Sequence, residues 1–126
     1  MYEKFGQFID GKWQPSEKKE TYEVINPANE EVLGNASKAT PSDVDKALKS
    51  AEKGLEVWKK TSPWKRSYII RKIADKMREK QDVLAKWMTL EVGKPFAEAK
   101  GEVGGAADIF EWNAEETKRI YGQTVE

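Results

Sequence analysis

Carboxylates at helical spacing are the most abundant chemistry-bearing groups of the 126-residue chain: Glu98 and Glu102 stand i, i+4, and Glu111 and Glu115 repeat that interval. Two carboxylates on one helical face could divide the roles of acid and base, or hold a cation between their oxygens. The same spacing also describes an ordinary solvated face, and the neighbouring Lys100, Lys118 and Arg119 favour that reading. Gly101-x-x-Gly104-Gly105 has the composition of a phosphate loop, but no strand precedes it. It also lacks Gly-x-Gly-x-x-Gly or Walker spacing, so close helix packing is the expectation. Gly93-Lys94-Pro95 could bring an ammonium to a phosphate, or simply stop one helix and start the next. Trp13, Trp58, Trp64, Trp87 and Trp112 could stack on bases or sugars, but their helical spacing favours core and subunit-interface roles. Thr40 and Ser62 sit where helix caps belong, and without His no imidazole activates them. The residues by themselves present no catalytic constellation.

The elements that would position these groups change period along the chain. Phe5 to Ile9 reads as a short strand, Asp10-Gly11 as a two-residue hairpin turn, and Lys12-Trp13 as its return. Thr21 to Ile25 is rich in β-branched residues and stops at Asn26-Pro27, with Val32 to Ala39 as partner across the loop Asn26 to Glu31. Thr40-Pro41-Ser42-Asp43 then starts a helix by a hydroxyl cap, a first-turn proline and a carboxylate near the free N–H groups. Val44, Ala47, Leu48, Ala51, Leu55 and Trp58 give it one apolar stripe. Ser62-Pro63 opens a second helix with Tyr68, Ile69, Ile73, Ala74 and Met77 on its apolar side and Trp64 near its start. Val83, Leu84, Trp87 and Met88 mark a third, ending at Gly93. Pro95 opens a last helix expected to run to about Tyr121, capped by Gly122, with Phe96, Val103, Ala106, Ala107, Phe110, Ala114 and Ile120 on its apolar side. Gly101, Gly104 and Gly105 each cost about 1 kcal/mol inside it relative to alanine, which predicts a second backbone or helix passing close by.

The predicted class is therefore α+β: amino-terminal β-hairpins followed by three to four helices. Residues 1–126 form a single partial domain, with a β-hairpin region at 5–39 and a helical region at 40–122. Two hairpins without a sheet to join, and a strand-like end at Gln123-Thr124-Val125-Glu126, make the sequence read as a fragment.

Composition narrows the partners. The 22 basic and 22 acidic residues cancel, which removes the global field that attracts nucleic acid or anionic lipid and favours self-association. The absence of Cys excludes disulfides and thiolate metal sites, and the absence of His removes the commonest general base. No apolar run is long enough to span a membrane, and Met1-Tyr2-Glu3 does not begin a signal peptide, so a cytoplasmic protein is expected.

The run Thr89-Leu90-Glu91-Val92-Gly93-Lys94-Pro95, followed by Glu98-Ala99-Lys100-Gly101-Glu102, resembles a signature of the amino-terminal part of NAD(P)-dependent aldehyde dehydrogenases. The resemblance extends through Phe8 to Trp13, Val24 to Asn29, Ser42 to Ala47 and Phe110 to Gly122, in the same order. The last of these, together with Glu98-Ala99-Lys100-Gly101-Glu102, is most similar to the bacterial succinate-semialdehyde dehydrogenase branch. It implies part of an aldehyde dehydrogenase-like α/β fold that lacks the nucleotide-binding sheet and the catalytic domain. In that family a cysteine thiolate attacks the aldehyde, hydride passes to NAD or NADP, and a glutamate activates the water that releases the acid. None of those residues has a counterpart here, so the resemblance implies no catalytic and no cofactor-binding residue in this chain, and no NAD binding by it alone. It also implies a monovalent-cation site at the backbone oxygens of Val24 and Ile25 with Glu91, and a last helix that walls part of the aldehyde entrance. There Gly104 and Gly105 replace bulkier residues, implying a wider entrance or altered packing. The expected partner is the remainder of the dehydrogenase. The alternative is a stand-alone, non-catalytic interaction or oligomerisation protein derived from that segment.

Overall fold

The computed structural model describes residues 6–122 and 124–125. They contain the strands β1 (Gln7–Ile9), β2 (Lys12–Gln14), β3 (Thr21–Ile25) and β4 (Val32–Ser37). The helices α1 (Pro41–Trp58), α2 (Pro63–Glu79), α3 (Gln81–Val92) and α4 (Phe96–Glu116) follow, and a 3-10 turn at Thr117–Arg119 closes the series. This is the predicted α+β order of two hairpins and then helices. Phe5, placed in the first strand by its sequence, lies outside the described residues, as do Gln123 and Glu126 of the strand-like end. The chain divides into two compact units, Met1–Lys59 with Leu90–Gly93, and Lys60–Thr89 with Lys94–Glu126.

In the first unit, β1 and β2 pair antiparallel with Ile9 opposite Lys12. Asp10 and Gly11 turn the chain with φ of 55° and 74°, the doubly left-handed geometry that matches strand twist and that Asp-Gly tolerates. β3 and β4 form a separate antiparallel ribbon, with an irregularity between Val24 and Ile25 where Val24 faces Gly34 and Ile25 faces Val32. β4 stops at Ser37, short of the expected Ala39, although Lys38 N–H still donates to the Glu20 carbonyl at 2.8 Å.

Helix α1 begins as its sequence predicts. The Thr40 hydroxyl accepts from Asp43 N–H at 3.2 Å while the Asp43 carboxylate accepts from Thr40 N–H at 2.9 Å, a reciprocal box that satisfies donors otherwise left open at a helix start. Asp43 also accepts from Glu17 N–H at 3.2 Å, and Ser16 N–H donates to the Ser37 hydroxyl at 3.2 Å, so the loop after β2 is tied both to α1 and to β4. The described residues of this unit bury Ser16, Asn26 and Asp43, and no large apolar side chain. The apolar stripe expected on α1 exists as a pattern but is not a core: Val44, Leu48 and Leu55 are exposed. A helical period selects which face is apolar; burial requires something to cover it.

The second unit has the apolar core. Ala85, Ala99 and Val103 cluster between α3 and α4 with Leu84 and Met88 beside them, and Ala74 of α2 and Ala107 and Ala114 of α4 are also buried. Small residues at i, i+4 and i+8 of α4 (Ala99, Val103, Ala107) form its inward face, whereas Phe96, Phe110 and Ile120, expected there, are exposed. α4 also ends earlier than predicted, at Glu116. The Thr117 hydroxyl donates back to the Asn113 and Ala114 carbonyls at 2.8 and 2.9 Å, and the chain tightens into the 3-10 turn before Gly122 is reached.

Candidate functional site

The end of β3, the loop that follows it and the last turn of α3 meet within the first unit. Asn26 is buried and organises the loop. Its N–H donates to the Glu31 carbonyl at 2.9 Å, its carbonyl accepts from Glu30 N–H at 2.8 Å, and its side-chain oxygen accepts from Ala28 N–H at 3.0 Å. The last is an Asx turn, which fixes Pro27 at the loop's shoulder. Against that shoulder lies Gly93, at φ of 76°: a Cβ built there would stand 3.0 Å from Pro27 Cγ. Glycine both supplies the left-handed stop of α3 and lets the proline ring approach.

Pro27 follows Val24 and Ile25 in the chain and Gly93 follows Glu91, the three residues assigned to a cation by resemblance. In a two-stranded antiparallel ribbon, alternate residues direct their carbonyls away from the partner, so the outer edge of β3 offers backbone oxygens. Glu91 lies near the end of α3. Oxygen donors of this kind suit a hard cation. Among the described residues no three His, Cys, Asp or Glu side chains are grouped to hold a metal, so any such site depends on backbone oxygens.

The other candidates resolve into structural roles. Lys94 of the Gly-Lys-Pro turn pairs with Glu102 of α4, which separates Glu102 from any shared work with Glu98. Glu111 and Glu115 are bound from α2: Arg71 Nη1 donates to Glu111 at 2.7 Å and Nη2 to Glu115, while Arg78 donates to Asp108 and to Glu111, both at 2.7 Å. Lys118 also donates to Glu115, at 3.0 Å, and Lys100 pairs with Asp82 at 2.7 Å. The hydrogen bond from Lys118, and after it the one from Arg71, hold the Glu115 carboxyl below its ordinary range against the opposing effect of burial. The solvated face expected at Glu111 and Glu115 is thus an ion-pair network joining two helices. Only the positions of Arg71 and Arg78, a heptad apart on α2, could have signalled it.

Two expectations are overturned here. Nothing lies within 4 Å of a Cβ built at Gly101 or Gly105, and only Gly104 has a neighbour, Gln81 Nε2 at 3.1 Å. Close packing therefore explains one glycine of the three, and that neighbour is a side chain, itself donating to the Lys100 carbonyl at 2.9 Å. All three glycines lie inside α4, not at a strand-to-helix turn, so they do not fit a dinucleotide site. The core half of the Trp expectation also fails, since all five are exposed, Trp64 and Trp112 the most, at 72% and 70%, which leaves the subunit-interface half. Trp64 instead carries the Lys118 ammonium 5.1 Å from its ring centroid. Thr40 and Ser62 are caps, Ser62 accepting from Lys65 N–H at 3.3 Å.

Residues 13–126 match the model of the aldehyde dehydrogenase family. The chain is 43% identical to a glutarate-semialdehyde dehydrogenase of Pseudomonas putida over 118 residues, 94% of this chain and 25% of that protein. It is 44% identical to the NADP(+) succinate-semialdehyde dehydrogenase of Escherichia coli over 117 residues, 93% of this chain and 24% of that one. Among solved structures, a succinate-semialdehyde dehydrogenase from Burkholderia pseudomallei superposes with a TM-score of 0.92 at 36% identity, covering 98% of this chain and 26% of its own. The chain spans about a quarter of the length of the curated relatives it matches.

Proposed function

Because the chain belongs to the aldehyde dehydrogenase family, we propose that it works as the amino-terminal segment of an NAD(P)-dependent enzyme that oxidises a semialdehyde, succinate semialdehyde foremost, to the acid. One observation carries this reading: identity of 42–44% to semialdehyde dehydrogenases over nearly the whole chain. Residues 1–126 are then one partial domain that acts as scaffold, and the chemistry belongs to residues outside it. The exposed apolar faces of α1 and α2 support this role, since each would be covered by the remainder of such an enzyme. Among the described residues no helix is long and apolar enough to cross a membrane.

Within the segment, the carbonyls of Val24 and Ile25 and the carboxylate of Glu91 hold a monovalent cation that stiffens the meeting of β3 and α3. The support is the approach of Pro27 to Gly93 and the oxygen-only donor set. Thallium(I) or sodium NMR on the chain, with Glu91→Gln beside it, tests this; binding that the variant leaves unchanged removes Glu91 from the site.

The functional reading itself is tested on the polypeptide isolated from its source. It predicts an intact mass close to that of the relatives, reduction of NAD or NADP with succinate or glutarate semialdehyde, and no turnover or NAD binding by residues 1–126 alone. A native mass equal to that of this chain, with a discrete oligomer and a cooperative melt, would replace it with the stand-alone association protein.

A further inference from the structure

The turn of the first hairpin and one side of α1 enclose a concavity of about 490 Å³ whose wall includes Lys12, Trp13, Lys46, Lys49, Ser50 and Lys53. Two of its charged groups are already engaged. Lys46 faces Glu17 at 3.6 Å and Asp43 at 3.8 Å, and the Asp10 carboxylate accepts from the Ser50 hydroxyl at 3.4 Å. Among the described residues, no carboxylate lies within ion-pair distance of Lys12, Lys49 or Lys53. Among the described residues Lys18, Lys19, Lys60, Lys65 and Lys86 likewise have no carboxylate at ion-pair distance, whereas Lys12, Lys49 and Lys53 are three such ammonium groups lining one concavity. Lys49 and Lys53 stand i, i+4 on α1, a like-charge repulsion that a bound anion relieves. Trp13 is held by its strand and by Phe8, ring centroids 5.2 Å apart, yet remains 56% exposed.

We propose that this concavity binds an oligophosphate chain, with Lys12, Lys49 and Lys53 taking the phosphate charges and Trp13 forming a wall on which an attached base stacks. Three cations contributed by two elements match a triphosphate better than a dicarboxylate, which would satisfy two and stack on nothing. The pyrophosphate of a dinucleotide also brings only two charges, so NAD engages the three lysines less strongly. The balanced charge of the surrounding surface disfavours a longer polyanion. Inorganic triphosphate and a nucleoside triphosphate share the recognised chemistry. The inference does not depend on the dehydrogenase reading, and its failure would leave that reading intact.

Calorimetry on the 126-residue chain at low salt, with sodium triphosphate, ATP and NAD as probes, tests it. Triphosphate and ATP are expected to bind with Kd below about 1 mM, and NAD at least about tenfold more weakly. The variant K12Q/K49Q/K53Q should weaken both by about tenfold or more, while K60Q/K65Q/K86Q, equal in charge but in the second unit, should not. Trp13→Ala should weaken ATP by about fivefold and leave triphosphate unchanged. ATP binding that matches triphosphate and ignores Trp13→Ala assigns the site to the inorganic chain. Absence of binding by either triphosphate overturns the proposal. So does an equal loss in the two triple variants with native far-UV circular dichroism, or NAD binding as tight as ATP.

Discussion

Substituting alanine at Gly101, Gly104 and Gly105 should give two different answers from three adjacent glycines. Alanine in a helix interior is favoured over glycine by about 1 kcal/mol, through the smaller backbone entropy lost on folding. At Gly101 and Gly105 the new methyl meets open space, so each substitution should stabilise α4 by close to that amount, and the pair by about 2 kcal/mol. At Gly104 the methyl would stand 3.1 Å from Gln81 Nε2 and push away a side chain that donates to the Lys100 carbonyl. Losing that exposed bond costs about 0.5–1.5 kcal/mol, which cancels the gain. Urea denaturation of the chain followed at the helical dichroism band measures all three. A synthetic peptide of residues 95–119 serves as control, because there Gln81 is absent and all three alanines should raise helicity alike. If Gly101→Ala or Gly105→Ala destabilises the chain while raising helicity in the peptide, something packs over those positions and the reasoning fails.

Other perturbations follow from the first unit. Thr40→Ala removes the hydroxyl that caps α1 and should lower stability by about 0.5–2 kcal/mol, with Thr40→Ser restoring most of it in the same melt. The Asp43 carboxyl is held below its ordinary range chiefly by the Thr40 N–H, against burial, and further by the Glu17 N–H, the Thr40 hydroxyl and Lys46. A carboxyl lowered in the folded state stabilises above its unfolded pKa and loses that contribution as pH falls through the folded value. Acid titration should therefore detach the loop at Glu17 below about pH 4, and Asp43→Asn should flatten that acid limb; an unchanged limb would discount the carboxylate. Gly93→Ala forces a side chain into a left-handed φ and onto Pro27, and should cost about 1–2 kcal/mol by thermal melt, more than the same change at any α4 glycine.

The local elements were legible because their causes are local. The Asp10-Gly11 turn, the β3 stop at Asn26-Pro27 and the caps at Thr40 and Ser62 each follow from residues within a few positions of each other. What failed depended on distant neighbours. The apolar stripe on α1 is legible in the sequence, but its exposure is not, since periodicity names a face and not its cover. The glycines of α4 announced a helix penalty without showing that two of them face empty space. Of the candidate site, residue patterns gave only a strand stop and a helix stop. The meeting of Pro27 with Gly93, and the grip of Arg71 and Arg78 on Glu111, join segments far apart in the chain that no local pattern connects.

The alanines buried between the helices of the second unit set an unusual direction of vulnerability. A core of leucines is damaged by trimming, which opens cavities; a core of Ala74, Ala85, Ala99, Ala107 and Ala114 has almost nothing left to trim. Its hazard is growth. A single-base change from alanine to valine or threonine adds volume where the side chain is already fully buried, a strain of about 1–3 kcal/mol each time. Inherited defects in this segment should therefore be enlarging substitutions on the inner helix faces, and temperature-sensitive alleles should be rescued by shrinking a neighbour such as Val103 rather than by refilling a hole.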